Sequence, residues 1–415
     1  MKILWITNIL LPRAAEFLGL KAPIVGGWMQ SSADAILQED KSLELAVATV
    51  SPFVTKIETV HDKRTSYYIL PLCGDNTKYH KSLEPLWRKI SNVFCPDIIH
   101  LHGTEFAHGL AYINACTNHH VVVSIQGLTS AYYYYYYGLS NWDILRNITF
   151  RDIVKSDSLW RQKKKFQQRG VVEKQIIKSV HHIIGRTSWD KSHVWAINPE
   201  VNYHFCNETL RKGFYKESWQ YDNCEPHSIF VSQASYPIKG LHQLLKAMPL
   251  VLKHYPDVKI YVAGTDITRA TTFKQKIRLS GYGSYLRNLI KHLHLKDKVQ
   301  FTGALTEHQM IERYLLSNLF LCPSSIENSP NSLGEAQLLG VPCIASYVGG
   351  TADMMQTNER CLYRFEEIEM LAGKICNVFA DYSFSKNMQD EARERHNAQE
   401  NAKRLIEIYS EIQNT

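Results

Sequence analysis

The sequence predicts an α/β protein with two domains, each a parallel β-sheet with helices on both faces. Three observations support this prediction. The chain has 415 residues, which is more than a typical domain of about 100–200 residues contains. Short apolar runs alternate with stretches of helical spacing, a pattern typical of parallel sheets between helices. The pattern pauses in a polar segment at residues 212–226 and then starts again, so two halves are predicted.

Each half contains five short apolar runs of the kind that forms buried parallel strands. In the first half these runs are residues 3–6, 45–50, 98–102, 121–125 and 181–185. In the second half they are residues 228–232, 258–264, 299–303, 319–323 and 342–346. Helices are predicted at residues 28–37, 241–254 and 388–412.

Composition excludes several classes of protein. Hydrophobic residues make up 45% and charged residues 21% of the chain, so neither a disordered chain nor a coiled coil is expected. The net charge of +7 suits an anionic ligand or membrane surface and is too small to indicate nucleic acid. The nine cysteines form no Cys-x-x-Cys pair, so a reducing cytoplasm is expected rather than disulfides or zinc. No apolar run reaches about 18 residues, so no membrane-spanning segment is expected.

Gly26 and Gly27 lie after the first predicted strand and before a predicted helix. Glycines at this place let the backbone approach a phosphate, which the helix N-terminus attracts. A plain turn is the alternative. The pair lacks the spacing of a dinucleotide fingerprint, and the chain has no P-loop sequence.

The segment 324–342 carries the densest polar pattern. Pro330 is predicted as the first residue of a helix, where its missing N–H group costs nothing. The next three N–H groups then point out of the helix start and form a phosphate site, namely those of Asn331, Ser332 and Leu333. Glu335 follows one turn later, where it can accept hydrogen bonds from ribose hydroxyls. Glu327 precedes the helix, near an attached sugar. The alternative is that both glutamates are ordinary solvated carboxylates.

This segment resembles the signature of retaining GT-B glycosyltransferases of family 4, the group 1 type. The two glutamates are separated by seven residues, after a strand ending in Cys-Pro-Ser and before Gly-Val-Pro-Cys-Ile-Ala. The glycine pair, the Pro-Ile-Lys-Gly of residues 237–240 and the glycine turn of residues 348–353 agree with it, so the resemblance covers essentially the whole chain. It implies two Rossmann-like domains facing across a cleft. Residues 1–212 would bind the acceptor, residues 213–385 the donor, and residues 386–415 would cross back to the first domain.

The resemblance also implies an activity. A sugar would move from a nucleoside diphosphate sugar, with UDP favoured over GDP, to a hydroxyl of a glycan or lipid-linked acceptor in bacterial surface polysaccharide synthesis. The anomeric configuration would be retained, and neither a metal nor a further cofactor is expected. A nucleotide-sugar epimerase and a catalytically weak scaffold of a glycan-assembly complex are the alternatives.

Roles at single residues follow from the same resemblance. Lys239 would neutralise the leaving diphosphate, Glu327 would bind the donor sugar, and Glu335 would bind the ribose. The backbone of residues 331–333 and of the glycine pair would hold the diphosphate. Loop backbone at Gly303 and Leu305 is predicted to line the base pocket.

Two positions depart from the family. Gln126 stands where many members have a histidine of the donor-sugar site, and Ala234 stands where many have an arginine. Arg186, at the end of the fifth predicted strand, is the candidate for the missing cation, and Arg211 is the second candidate. A structural salt bridge is the alternative role for each.

The acceptor side carries weaker signals. His102 ends the third predicted strand together with His100, and the alternative to acceptor binding is a hydrogen-bonded scaffold histidine. Gln126 is also predicted to face the acceptor. Tyr132 opens a run of six tyrosines predicted to line an acceptor groove or to lie near a membrane.

In residues 142–166, aromatic and basic residues are interleaved. This pattern predicts peripheral contact with the cytoplasmic face of an anionic inner membrane. An amphipathic helix packed on its own domain is the alternative. No nucleic-acid-binding motif occurs in the chain, so no nucleic-acid partner is expected.

Overall fold

The computed structural model describes residues 1–20, 26–72, 74–116 and 120–415. The chain forms two compact units. The first consists of Met1–Ala131, Gln167–Lys212 and Arg395–Thr415, and the second of Tyr132–Phe166 and Gly213–Glu394. Each unit is built around one β-sheet with helices, which confirms the α/β prediction. Among the described residues, no helix combines the length and apolar character needed to cross a bilayer.

The strands alternate with helices along most of the chain. In chain order the strands are β1 (Lys2–Thr7), β2 (Glu44–Ser51), β3 (Glu58–Asp62), β4 (Thr65–Pro71), β5 (Ile98–His102), β6 (Val121–Ser124), β7 (His182–Gly185), β8 (Asn202–Phe205), β9 (Glu225–Val231), β10 (Lys259–Val262), β11 (Val299–Phe301), β12 (Ser317–Cys322), β13 (Cys343–Ser346) and β14 (Leu362–Tyr363).

The α-helices are α1 (Pro12–Phe17), α2 (Gly27–Glu39), α3 (Glu84–Phe94), α4 (His108–Ala115), α5 (Thr129–Tyr132), α6 (Asn141–Arg146), α7 (Phe150–Val154), α8 (Leu159–Lys178), α9 (Ser188–Ile197), α10 (Leu241–Val251), α11 (Phe273–Ile277), α12 (Gly281–His292), α13 (Glu307–Leu315), α14 (Asn331–Leu339), α15 (Thr351–Met355), α16 (Ile368–Ala380), α17 (Ser385–Arg395) and α18 (Ala398–Gln413).

The sheet of the first unit has the strand order β3-β4-β2-β1-β5-β6-β7-β8. All neighbours are parallel except β3, which pairs antiparallel with β4. Side chains of β1 alternate between two buried clusters, because successive residues of a strand point to opposite faces. The last helix, α18, belongs to this unit, and the Tyr409 hydroxyl accepts a 3.0 Å hydrogen bond from Trp5 Nε1. The predicted return of the C-terminal helix to the first domain is thus confirmed.

The sheet of the second unit is entirely parallel, with the order β11-β10-β9-β12-β13-β14. Its central strand β12 is buried along its whole length. Because the strands are parallel, the loops that follow β9 to β13 all leave from the same edge of the sheet, where ligands of such folds bind.

The structure corrects the predicted helix at residues 388–412, which is two helices. The break falls at His396 and Asn397. The Asn397 side chain accepts hydrogen bonds from the N–H groups of Gln399 (3.0 Å) and Glu400 (3.1 Å) and so begins α18. His396 Nδ1 lies 2.8 Å from the carbonyl oxygen of Glu208, which fixes the turn between the helices.

Residues 132–166 belong to a different domain from the predicted one. The sequence predicts them to be part of the N-terminal domain 1–212, whereas their contacts place them in the second unit. The hydroxyl of Thr149 donates to the carbonyl oxygen of Leu279 (2.7 Å), and the N–H of Gly281 donates to Asp152 Oδ2 (2.8 Å). These bonds join positions about 130 residues apart, which local sequence patterns do not report.

Candidate active site

The loops after β9 and β12 meet at the carboxyl edge of the second unit's sheet. Lys239 ends the single 3₁₀ turn Pro237–Lys239 that follows β9. The N–H of Ser325, in the loop after β12, donates to the carbonyl oxygen of Ile238 (2.7 Å). Gly240 has φ +69°, and a Cβ atom there would lie 1.6 Å from the carbonyl oxygen of Pro323. Only glycine fits this position, so the Lys-Gly pair fixes where the lysine side chain starts.

Lys239 and Glu327 form a buried ion pair at this edge. Lys239 Nζ lies 2.6 Å from Glu327 Oε1, and the two side chains are 21% and 9% exposed. The Ser324 hydroxyl donates to the same oxygen at 2.7 Å. Burial opposes the charge on Lys239, but the Glu327 carboxylate more than offsets it, so the pKa of Lys239 rises above its ordinary value. Glu327 is therefore not an ordinary solvated carboxylate.

The glycine turn after β13 holds the backbone of Glu327. The N–H of Gly350 donates to the Glu327 carbonyl oxygen at 3.0 Å. Gly349 has φ +52°, and a Cβ atom there would lie 1.8 Å from that same oxygen. The two glycines of the sequence motif thus set the position of a predicted site residue.

Helix α14 begins at Asn331. Pro330 was predicted as its first residue, and the structure corrects this: Pro330 is the N-cap. The N–H of Leu333 donates to the Pro330 carbonyl oxygen (2.9 Å), and that of Gly334 donates there more weakly (3.3 Å). The first turn is tightened, so the Leu333 N–H is not available to a phosphate. Within the described ranges, the N–H groups of Asn331 and Ser332 have no acceptor, and these two remain for an anion.

Glu335 lies on the next turn of α14 and is 4% exposed. It too differs from a solvated surface carboxylate. A carboxylate buried near the N-terminus of a helix benefits from the partial positive charge there. Its burial places a strong hydrogen-bond acceptor within the same helix that offers the two free N–H groups.

The loops after β10 and β11 present backbone to open space. The N–H of Gly264 donates to the Gly303 carbonyl oxygen at 2.9 Å. Both glycines have positive φ (+104° and +78°), and no atom lies within 4 Å of where their Cβ atoms would be. Leu305 is half-buried beside them. The role of this loop backbone in a base pocket stays a prediction.

The glycine pair of the first unit also begins a helix. Gly26 has φ +91° and is the N-cap of α2, which starts at Gly27. A Cβ atom on Gly26 would lie 2.0 Å from Ile9 Cδ1, so the turn is closely packed. The residues just before the pair, 21–25, lie outside the described part of the chain.

The two histidines of β5 have different surroundings. His100 Nδ1 lies 2.6 Å from the Tyr409 hydroxyl, and its Nε2 lies 2.6 Å from the Ser124 hydroxyl. His100 is therefore a scaffold residue. His102 is 4% exposed, and neither of its ring nitrogens has a hydrogen-bond partner in the described ranges. Burial, then the neighbouring His100, lowers the pKa of His102 well below its ordinary value, so the ring is neutral at pH 7.

Arg186 is in a structural ion pair. Its Nη2 lies 2.5 Å from Glu208 Oε1, with both side chains at most 7% exposed, and its Nη1 donates to the Ile125 carbonyl oxygen at 2.9 Å. This geometry is that of a structural salt bridge, the alternative role given for Arg186. A catalytic role for Arg186 stays a prediction. Gln126 is half-buried after β6, and Tyr132, the last residue of α5, belongs to the second unit.

One carboxyl group at the carboxyl edge of the first unit's sheet was not predicted from the sequence. Asn8 Nδ2 donates to Glu105 Oε2 at 2.7 Å. Gly103 (φ +94°) makes room for this bond, because a Cβ atom there would lie 2.2 Å from Glu105 Oε2. Burial, together with the charge of Glu173, raises the pKa of Glu105 to about 7. The available signal was an acidic residue three positions after a predicted strand.

Part of the chain is similar in sequence to known proteins. Residues 212–395 match the family described as Glycosyl transferases group 1. The chain is 26% identical over 197 residues to the N-acetyl-alpha-D-glucosaminyl L-malate synthase of Bacillus anthracis, a match of 44% of this chain and 51% of that protein. The chain thus spans about half the length of the curated relatives it matches.

Solved structures extend the likeness to the whole chain. Sucrose-phosphate synthase from Thermosynechococcus elongatus superposes with a TM-score of 0.66 at 16% identity, over 99% of both chains. HepE from Anabaena in complex with UDP-glucose gives a TM-score of 0.65 at 15% identity, over 99% of this chain and 100% of that one. The chain therefore has the GT-B fold, as the sequence predicts.

Proposed function

We propose that this protein transfers a sugar from a nucleoside diphosphate sugar to a hydroxyl of a glycan or lipid-linked acceptor. The observation that supports this most directly is the Lys239–Glu327 ion pair, whose glutamate lies four residues before the first residue of α14. A lysine and two free N–H groups attract a diphosphate, and a buried carboxylate accepts hydrogen bonds from sugar hydroxyls.

In the proposed mechanism, the ion pair opens to bind the donor. Lys239 turns to the diphosphate, and Glu327 accepts hydrogen bonds from the donor sugar in exchange. As the bond between the anomeric carbon and the phosphate oxygen breaks, negative charge grows on the diphosphate. Lys239 and the N–H groups of Asn331 and Ser332 stabilise that charge without reorganising. Glu335 holds the ribose, and the backbone at Gly303 and Leu305 receives the base.

We propose retention of configuration without a metal ion. The acceptor hydroxyl attacks the anomeric carbon from the face that the diphosphate leaves, and a phosphate oxygen takes the hydroxyl proton. One carbon–oxygen bond forms and one breaks, so no protein nucleophile is required. Gly26 and Gly27 would contact the diphosphate, and His102, Gln126 and Tyr132 the acceptor. Arg186 would supply charge only if its ion pair opens.

We propose UDP as the favoured nucleotide, with GDP as the alternative, and a bacterial surface polysaccharide as the product. The structural likeness to HepE with UDP-glucose supports the UDP assignment. The eight cysteines that the structure describes are free thiols, which supports a reducing cytoplasm as the compartment.

The test is nucleotide release from UDP-, GDP- and ADP-sugars by the purified full chain, with and without glycan acceptors. The proposal predicts release from one donor class, a product with retained configuration by NMR, and loss of both in Lys239→Met. Release that is equal in wild type and Lys239→Met would contradict the site assignment.

A weak scaffold protein of a glycan-assembly complex is the second candidate. It is favoured by Ala234, an uncharged residue at a position where many members of the family have an arginine. Ala234 is 3% exposed. The scaffold predicts no nucleotide release from any donor, although the chain folds normally.

A further inference from the structure

Residues 142–160 expose an unusual amount of apolar surface. Seven large hydrophobic side chains of this segment are between 49% and 70% exposed, namely Trp142, Leu145, Ile148, Phe150, Ile153, Val154 and Trp160. Single exposed hydrophobic residues are normal on a protein surface, but a cluster of this size marks an interaction site. We call this cluster, with the cations around it, the α6–α8 face.

The backbone under the α6–α8 face is held in place. Asp152 is 4% exposed; its Oδ2 accepts the Gly281 N–H, and its helix α7 begins with a complete capping box to Thr149. A Cβ atom on Gly281 would lie 2.4 Å from the Asn147 carbonyl oxygen, so α12 and the segment are in direct contact. The apolar side chains therefore project from a fixed support and not from a loose loop.

The charges on the face are mainly positive. Residues 141–166 contain seven Lys or Arg and three Asp. Asp157 pairs with Arg151 (3.2 Å) and Lys165 (3.7 Å), and Arg151 also pairs with Asp152. The remaining cations have no carboxylate partner among the described residues, namely Arg146, Lys155, Arg161, Lys163 and Lys164. The face therefore has a net positive charge that its own acids do not neutralise.

A groove of about 470 Å³ opens within the face. Its apolar lining includes Ile144, Leu145, Ile148 and Leu159, with Trp160 at one side. Lys164 Nζ lies 5.6 Å from the centre of the Trp160 ring. A lipid with an apolar chain and an anionic head group is complementary to this arrangement, in which an apolar groove lies next to a cation.

We propose that the α6–α8 face docks the protein on an anionic lipid bilayer. Exposed tryptophan and phenylalanine side chains enter the boundary between head groups and acyl chains, and the unpaired cations contact the head-group phosphates. A bilayer accepts scattered apolar side chains without a complementary shape, which a protein or RNA partner would have to supply. This inference rests on the proposed function, because docking would bring the protein to the membrane that holds a lipid-linked acceptor.

The test is co-sedimentation of the full chain with vesicles of phosphatidylcholine alone or with 30% phosphatidylglycerol. Each cation near an anionic surface contributes about five-fold in binding, so we expect at least ten-fold stronger binding to the anionic vesicles. The triple variant Trp142→Ser, Phe150→Ser, Ile153→Ser should lose at least ten-fold. Phe273→Ser is the control, because Phe273 is 78% exposed elsewhere in the second unit and should bind like wild type.

Thermal unfolding of each variant checks that the substitutions, all at exposed positions, leave the fold intact. Equal sedimentation of wild type and triple variant, or no sedimentation with either vesicle, would overturn the proposal. Binding of a single-stranded RNA in place of vesicles, lost in the triple variant, would overturn it too. Nucleotide release measured without vesicles separates the two proposals, since it should be unchanged in the triple variant.

Discussion

Replacing Lys239 by methionine removes the charge of the buried pair and keeps much of the side-chain volume. Glu327 then keeps only the Ser324 hydroxyl on Oε1. Breaking a buried ion pair costs about 3–5 kcal/mol, and a hydrogen bond to a charged group about 1.5–3 kcal/mol. Because Lys239 is 21% exposed and the serine bond remains, we expect a loss of about 2–3 kcal/mol in the free energy of unfolding. Donor turnover should fall about 100- to 1,000-fold.

Urea unfolding of wild type, Lys239→Met, Glu327→Gln and the double variant measures the coupling between the two side chains. We expect the double variant to be more stable than Lys239→Met, because no buried carboxylate is left uncompensated. Lys403→Met is the matched control. Lys403 pairs with Glu400 at 2.9 Å, but the two side chains are 42% and 63% exposed, so its loss should cost far less stability than the loss of Lys239. Equal losses for the two lysine variants would refute the reasoning.

Three further results are expected. Gly240→Ala places a Cβ atom against the Pro323 carbonyl oxygen and should lower the melting temperature strongly, whereas Gly373→Ala, with no atom within 4 Å of the new Cβ, should not. Asn397→Ala removes the cap of α18 and should cost about 1 kcal/mol in urea unfolding; an unchanged midpoint would contradict the capping role. Glu105 has its pKa raised from 4.5 to about 7, so the folded state holds its proton longer than the unfolded state. Its contribution to stability should therefore fall between about pH 4.5 and pH 7, by about 1.4 kcal/mol per pKa unit, and Glu105→Gln should flatten that part of the stability profile; parallel profiles would contradict the raised pKa.

The sequence predicted most strands of both sheets that are buried on two faces. Their runs of apolar residues give a strong signal, and β5 begins and ends where predicted. It missed β3 and β8, which are partly exposed edge strands, and β14, which has two residues. It also missed β4, whose first residues carry hydroxyl groups and interrupt the apolar pattern. Edge strands mix polar and apolar side chains, so their pattern is close to that of a loop.

The parts of the candidate site that could be predicted are those where the local backbone conformation requires one residue type. The positive φ angles of Gly26, Gly240 and Gly349 explain why glycines stand there, and the motif carried that information. The direct bond between Lys239 and Glu327 was not predictable, because the two residues lie 88 positions apart in the sequence. Each was predicted to bind a part of the donor and not the other residue. In the structure the two side chains pair with each other.

That residues 132–166 belong to the second unit could not be predicted from the sequence either. It depends on a few hydrogen bonds, such as that between Gly281 and Asp152, and neither residue stands out in the sequence. The same contacts orient the α6–α8 face, so its exposure is a property of the tertiary structure and not of the helical pattern alone.

The most direct test of the central claim, that Lys239 and the start of α14 bind a nucleoside diphosphate, is thermal unfolding with UDP, GDP, ADP and CMP. A ligand at about 100 times its dissociation constant adds roughly 2.7 kcal/mol, enough to raise the melting temperature by several degrees. The account predicts such a rise with one nucleoside diphosphate in wild type and little or none in Lys239→Met. No rise with any nucleotide, or the same rise in both proteins, would contradict it.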